Sequence, residues 1–107
     1  MTLEEFRDHL AENLGIKGDG NTLSSDRANY LETLIGNCHA ELEQLEVALW
    51  PISDIPAYIV ESFTDYCKAS VSRFGMDRDP AMKFSALREI RYLTADPRTG
   101  VGKASYF

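Results

Sequence analysis

One apolar stripe constrains this chain more than any other feature. Leu31, Leu34, Ile35, Cys38, Leu42, Leu45 and Leu49 recur at spacings of three and four, the period of an α-helix that buries one face. Glu32, Glu41, Glu43 and Glu46 lie off the stripe and read as its wet side. Ser24, Ser25 and Asp26 stand ahead of it, each with a side-chain oxygen suited to accept from an unpaired N–H of the first turn. Trp50-Pro51 closes it, because a residue before proline is pushed out of the α region. The pattern predicts a helix over 26–49, about 36 Å long at the α-helical rise. A compact domain of this size is roughly 34 Å across. Such a helix would run the full width of the molecule, with ends that want neighbours.

Three further helices are legible. Thr2 followed by Glu5 forms a capping box, Leu3, Phe6, Leu10 and Leu14 repeat at helical spacing, and Gly15 ends the run. Residues 15–22 read as a loop. A third helix is expected to start around Ser53-Asp54-Ile55-Pro56 and to close at Gly75, with Ile59, Phe63, Tyr66, Cys67, Ser70 and Phe74 on one face. Tyr58, Val60 and Val71 fall outside that face. They imply either a central position in the core or a second apolar side turned to a neighbouring subunit, which makes them interface candidates. Asp79-Pro80 opens the fourth helix, whose buried side is read as Phe84, Leu87, Ile90 and Leu93, and Asp96-Pro97 ends it. No stretch alternates with the period of a strand. The fold expected is all-α: a four-helix, bundle-like protomer over 1–93 with an extended C-terminal tail over 94–107.

At 107 residues, 44% hydrophobic and 26% charged, the chain has the size and balance of one globular domain. It has no apolar run near the ~20 residues that cross a bilayer. Its start, Met1-Thr2-Leu3-Glu4-Glu5, has neither the basic beginning nor the apolar stretch of a signal peptide. Two cysteines, Cys38 and Cys67, are too few for a disulfide scaffold and suit a reducing compartment. Charge is unevenly placed. Residues 1–82 carry 6 Lys+Arg against 15 Asp+Glu, whereas 83–107 carry 5 against 2. An acidic body with a basic end does not grip nucleic acid over its whole surface.

Catalytic and metal chemistry find little footing. His39 follows Cys38, but adjacent helical residues point about 100° apart, so the two do not face each other. Cys38 fits the apolar stripe as a buried thiol. His39 and Glu43 share a face, which supplies only two ligands for a metal. The glycines of 15–22 lack the framing of a phosphate-binding loop, and the twelfth position counted from Asp19 is Tyr30 where a calcium loop needs Glu. A DNA-reading helix is disfavoured by Asp54, Glu61 and Asp65 on the third helix and by Asp77 and Asp79 ahead of the fourth. The chain is therefore read as a non-enzyme without cofactor or metal. The tail reads as a free end or as a docking arm, in which Val101, Tyr106 and Phe107 anchor in a partner and Arg98 and Lys103 steer.

The run Ser24-Ser25-Asp26-Arg27-Ala28-Asn29-Tyr30-Leu31-Glu32 into a long helix, then Trp50, then Ile55-Pro56 opening a helix that closes at Arg73-Phe74-Gly75, then Asp79-Pro80 with Leu87 and Leu93, resembles the head-to-tail connector (adaptor) proteins of tailed bacteriophages. The likeness spans roughly residues 2–93 and lies in the order and spacing of elements. It implies a virion protein of the head–tail neck, made in the host bacterial cytoplasm. There it would form a homo-oligomeric ring, expected to be twelvefold, beneath the portal protein. The ring would extend a channel through which double-stranded DNA passes without sequence-specific binding, and would dock tail or nozzle proteins; no membrane is involved. In such proteins the C-terminal segment reaches into the portal or a neighbouring subunit, which maps here onto 94–107. An acidic ring suits a conduit, since it repels the DNA it surrounds. The alternative is a small phage-encoded regulatory module that binds DNA or protein.

Overall fold

The computed structural model describes residues 1–17 and 23–95. Among them are four α-helices and no strand: α1 Leu3–Leu14, α2 Ser25–Gln44, α3 Val60–Lys68 and α4 Pro80–Thr94, with a single 3₁₀ turn Ala57–Ile59 leading into α3. The tail residues from 96 onward, including Arg98, Val101, Lys103, Tyr106 and Phe107, lie outside the described residues, as does 18–22.

The helix starts follow local chemistry. Thr2 caps α1, its hydroxyl accepting from the Glu5 N–H while the Glu5 carboxylate accepts from the Thr2 N–H. Ser24 caps α2 through the Arg27 N–H, and Asp79 caps α4 through the Met82 N–H, with Pro80 in the first turn. At the end of α1, Gly15 adopts φ 69, the left-handed backbone that only glycine enters without strain.

Two helix ends depart from the expected pattern. α2 stops at Gln44, five residues before Leu49, although the apolar spacing continues. The chain turns at Glu46, which takes φ 60, and the N–H groups of Glu46 and Val47 close back on Glu43 and Leu42. This cap satisfies carbonyls that would otherwise be left open, and it lets Val47, Ala48 and Trp50 fold under the bundle while Leu49 turns out, 79% exposed. At 20 residues α2 is about 30 Å long. It is therefore shorter than the helix the spacing predicted and than the 49 Å long axis of the molecule. α3 is shorter still, ending at Lys68, where the expected helix ran on to Gly75. Ser70 hydrogen-bonds back to the Tyr66 carbonyl, and its N–H closes a tight turn on Cys67. Val71 then inserts into the interior, and the chain reverses through Phe74 (φ 60) and Gly75 (φ 76).

α3 occupies the centre. It packs against α1, α2 and most extensively α4, while α1 also packs on α2. Only Glu61 and Asp65 of its nine residues are exposed, and Lys68 is half-buried. Of the two readings of Val60 and Val71, the central position in the core holds and the outward face is corrected: both are buried in the protomer's own interior, because α3 has helices on several sides and the chain after it folds back inward. At the hub, Phe63 stacks on Phe6 at 4.8 Å between ring centres and meets Trp50 edge-on at 5.7 Å.

α4 differs from expectation at one position. Ala86 and Ile90 are buried and Leu87 and Leu93 pack on the core, but Phe84 is 62% exposed. Phe84 lies about 120° around the helix from Ile90, too far to share its buried stripe.

Phe63→Ala is expected to cost about 3–5 kcal/mol, from lost transfer energy and the cavity left among Phe6 and Trp50. Tyr92→Ala on the exposed side of α4 should change stability by less than about 0.5 kcal/mol. Glu46→Gly should stabilise by about 0.5–1 kcal/mol, since glycine relieves the left-handed backbone. Urea unfolding followed by helical circular dichroism checks all three.

Candidate functional site

The most polar meeting point of the bundle joins α2, α3 and α4. Glu41, one turn past Cys38 on α2, accepts from the Tyr66 hydroxyl of α3 at 2.8 Å. The same carboxylate oxygen lies 3.1 Å from the Lys83 ammonium of α4, and that ammonium sits 5.1 Å from the centre of the Tyr66 ring. One carboxylate thus ties three helices. Its burial disfavours the charge, but the hydrogen bonds from Tyr66 and Lys83 and the lysine's charge outweigh this and hold the Glu41 carboxyl below its usual range. Burial and the bond to Glu41 drive the Tyr66 hydroxyl well up, so it stays protonated as the donor.

Beside this junction lies a cavity of about 470 Å³, walled by Cys38 and Glu41 of α2, by Ser70 beyond α3, and by Arg78 and Lys83 at the approach to α4. Its volume is that of a small-molecule site. Cys38 and Cys67 are both buried. The cavity wall brings together one thiol, two cations, a carboxylate and a hydroxyl.

A second feature is a surface. Phe84, Arg88, Arg91 and Tyr92 all stand exposed on the outward side of α4, the two aromatics at 62% and 78%. Aromatic rings beside arginines are the composition of interface anchors. This face belongs to the basic end of the chain, set against an acidic body.

The residues singled out in the sequence are distributed as follows. Tyr58, in the 3₁₀ turn, is 60% exposed and open to a neighbour, while Val60 and Val71 are enclosed. His39 is not on a wet face: its ring is buried, Nε2–H donates to the Trp50 carbonyl at 2.8 Å, and Nδ1 lies 3.6 Å from Glu43. It is a strut under the Trp50 bend, packed edge-on against that indole. His9 sits 3.7 Å from Glu61. Among the described residues no group of three or more His, Cys, Asp or Glu is placed to hold a metal ion, and no helix is long and apolar enough to cross a membrane.

Sequence reasoning missed the junction. Glu41 reads as solvated and Lys83 as part of a basic end, and nothing in one helix's periodicity says that they meet. Comparison with protein-family models, with curated proteins and with solved structures finds no match to this chain.

The depressed Glu41 carboxyl has a pH consequence. Its charged form is bound more favourably in the folded state, so the contribution is present above the unfolded value of about 4.3 and is lost as pH falls through the lower folded value. Because the side chain is half exposed, Glu41→Gln should cost less than about 1 kcal/mol at neutral pH. The variant should also lose less stability than the parent on acidification, as read from urea midpoints at a series of pH values.

Proposed function

We propose that the protein is a structural, non-catalytic subunit of the head–tail neck of a tailed phage. In this reading it docks on the portal protein, assembles there as a ring that extends the DNA channel, and presents a surface to tail or nozzle proteins. The observation that carries the reading is the α4 face. Phe84 and Tyr92 are large, outward and flanked by Arg88 and Arg91, on a chain whose remaining body is strongly acidic. A monomer gains nothing from exposing two aromatics on one helix face, whereas an assembly subunit covers them with a partner of complementary charge. The all-α fold is of the class that the resemblance to connector proteins implies.

Of the subunit-contact candidates, Tyr58 is kept and the enclosed Val60 and Val71 are replaced by this α4 face, together with the exposed Leu45 and Leu49 that follow α2. Residues 94–107 are kept as the proposed portal-directed arm. The acidic body would let duplex DNA slide past without holding it.

A chain ending at Leu93 should keep its helical circular dichroism yet lose binding to purified portal in a pull-down. The double variant Phe84→Ser, Tyr92→Ser should fold normally and weaken assembly on the portal, by native mass spectrometry, by about tenfold or more. Unchanged portal binding by both variants would remove arm and face from the mechanism. Duplex binding that falls steeply between about 50 and 200 mM salt would instead favour the regulatory alternative, with Arg88 and Arg91 as its phosphate contacts.

A further inference from the structure

The cavity beside the polar junction has walls of two kinds. Leu34 of α2, Ala69 after α3 and Pro80 at the start of α4 give it an apolar side, while Asn37, Glu41, Lys83 and Arg78 bring polar groups. At about 470 Å³ it has room for a small organic molecule. Its frame is held by bonds on two sides. The Asp79 N–H donates to the Ala69 carbonyl at 2.9 Å, which ties the segment carrying Arg78 to the end of α3. Glu41, bonded to Tyr66 and Lys83, ties α2 to α3 and α4.

Charge in this wall does not cancel. Lys83 is matched by the Glu41 carboxylate at 3.1 Å and lies against the Tyr66 ring. Arg78 is exposed and forms no ion pair among the described residues. Asp79, its neighbour in sequence, spends its carboxylate on the Met82 N–H as the cap of α4. Glu41, Lys83 and Arg78 thus leave the wall one uncompensated positive charge. The Ser70 hydroxyl already donates to the Tyr66 carbonyl, so it offers a ligand only an acceptor.

We propose that this cavity binds a small organic monoanion, a carboxylate on a compact apolar body. Arg78 meets the carboxylate, for which its guanidinium fork is the matching shape, and Leu34, Ala69 and Pro80 receive the apolar body. A single negative charge satisfies the wall. A more highly charged ligand would bring charge that the cavity does not match, to a chain whose own net charge is already -6. None of Phe84, Arg88, Arg91 and Tyr92 belongs to this wall, so ligand binding here is separate from the outward face of α4.

The test titrates the folded full chain with benzoate, with its neutral isostere benzamide and with inorganic phosphate, following backbone amide chemical shifts. Benzoate is expected to give saturable shifts confined to residues 34–41, 69–70 and 78–83. Benzamide should bind about fivefold more weakly, and phosphate more weakly than benzoate. Arg78→Gln should bring benzoate down to the level of benzamide while leaving benzamide unchanged. Glu41→Gln removes the carboxylate that matches Lys83, so it should tighten benzoate about threefold without tightening benzamide. Helical circular dichroism checks that each variant keeps its fold. Benzoate shifts that never saturate or fall outside the cavity, equal affinity for benzoate and benzamide, or phosphate binding as tight as benzoate would each overturn the proposal. So would benzoate binding that Arg78→Gln leaves unchanged or that Glu41→Gln weakens.

Discussion

The burial of α3 is the constraint on which the rest of the structure depends. Nine residues cannot form a stable helix alone in water, so α3 exists because its neighbours enclose it. Phe63 is the contact that achieves this, stacked on Phe6 of α1 and edge-on to Trp50 from the turn after α2. That arrangement requires Trp50 to come back under the bundle, which requires α2 to end at Gln44 and not at Leu49. The left-handed turn at Glu46 makes the reversal, and His39 braces it through the Trp50 carbonyl. A local strain at one residue is thus sustained by aromatic packing several turns away, as expected where tertiary contacts over-determine a backbone position.

Enclosure of α3 also decides where polar chemistry can occur. With only Glu61 and Asp65 exposed on the central helix, its other polar groups must find partners inside. Thr64 does so by bonding the Val60 carbonyl, and Tyr66 by reaching Glu41, which Lys83 then neutralises. The polar junction is in this sense a by-product of packing. It nonetheless leaves a cavity beside it, bordered by Cys38, Arg78 and Lys83.

The outer surface separates into two characters. The acidic residues of α1, α2 and α3 are spread over the body, while α4 turns Phe84, Arg88, Arg91 and Tyr92 outward. A protomer so divided has complementary surfaces on one molecule, and head-to-tail contacts of that kind close into rings when the rotation permits. The proposed neck role uses this division twice, for contact between protomers and for an acidic lining that does not retain DNA.

The sequence by itself determined the class of fold and where helices begin. Thr2, Ser24 and Asp79 cap helices in the positions their local pattern dictates, because a cap depends on residues within one turn. Gly15 ends α1 for the same local reason. The ends of α2 and α3 were not legible, since apolar periodicity runs past both: Leu45 and Leu49 repeat correctly yet are exposed, and Val71 is buried without being helical. An apolar residue contributes the same burial from a turn as from a helix, so the pattern marks what is buried and not which backbone carries it. Tertiary structure alone decided that Phe84 faces out, that Val60 faces in, and that Glu41, Tyr66 and Lys83 meet. Which face of a helix is buried depends on the number and direction of its neighbours, and a meeting of side chains from three helices depends on how those helices cross, neither of which any single stretch of sequence contains.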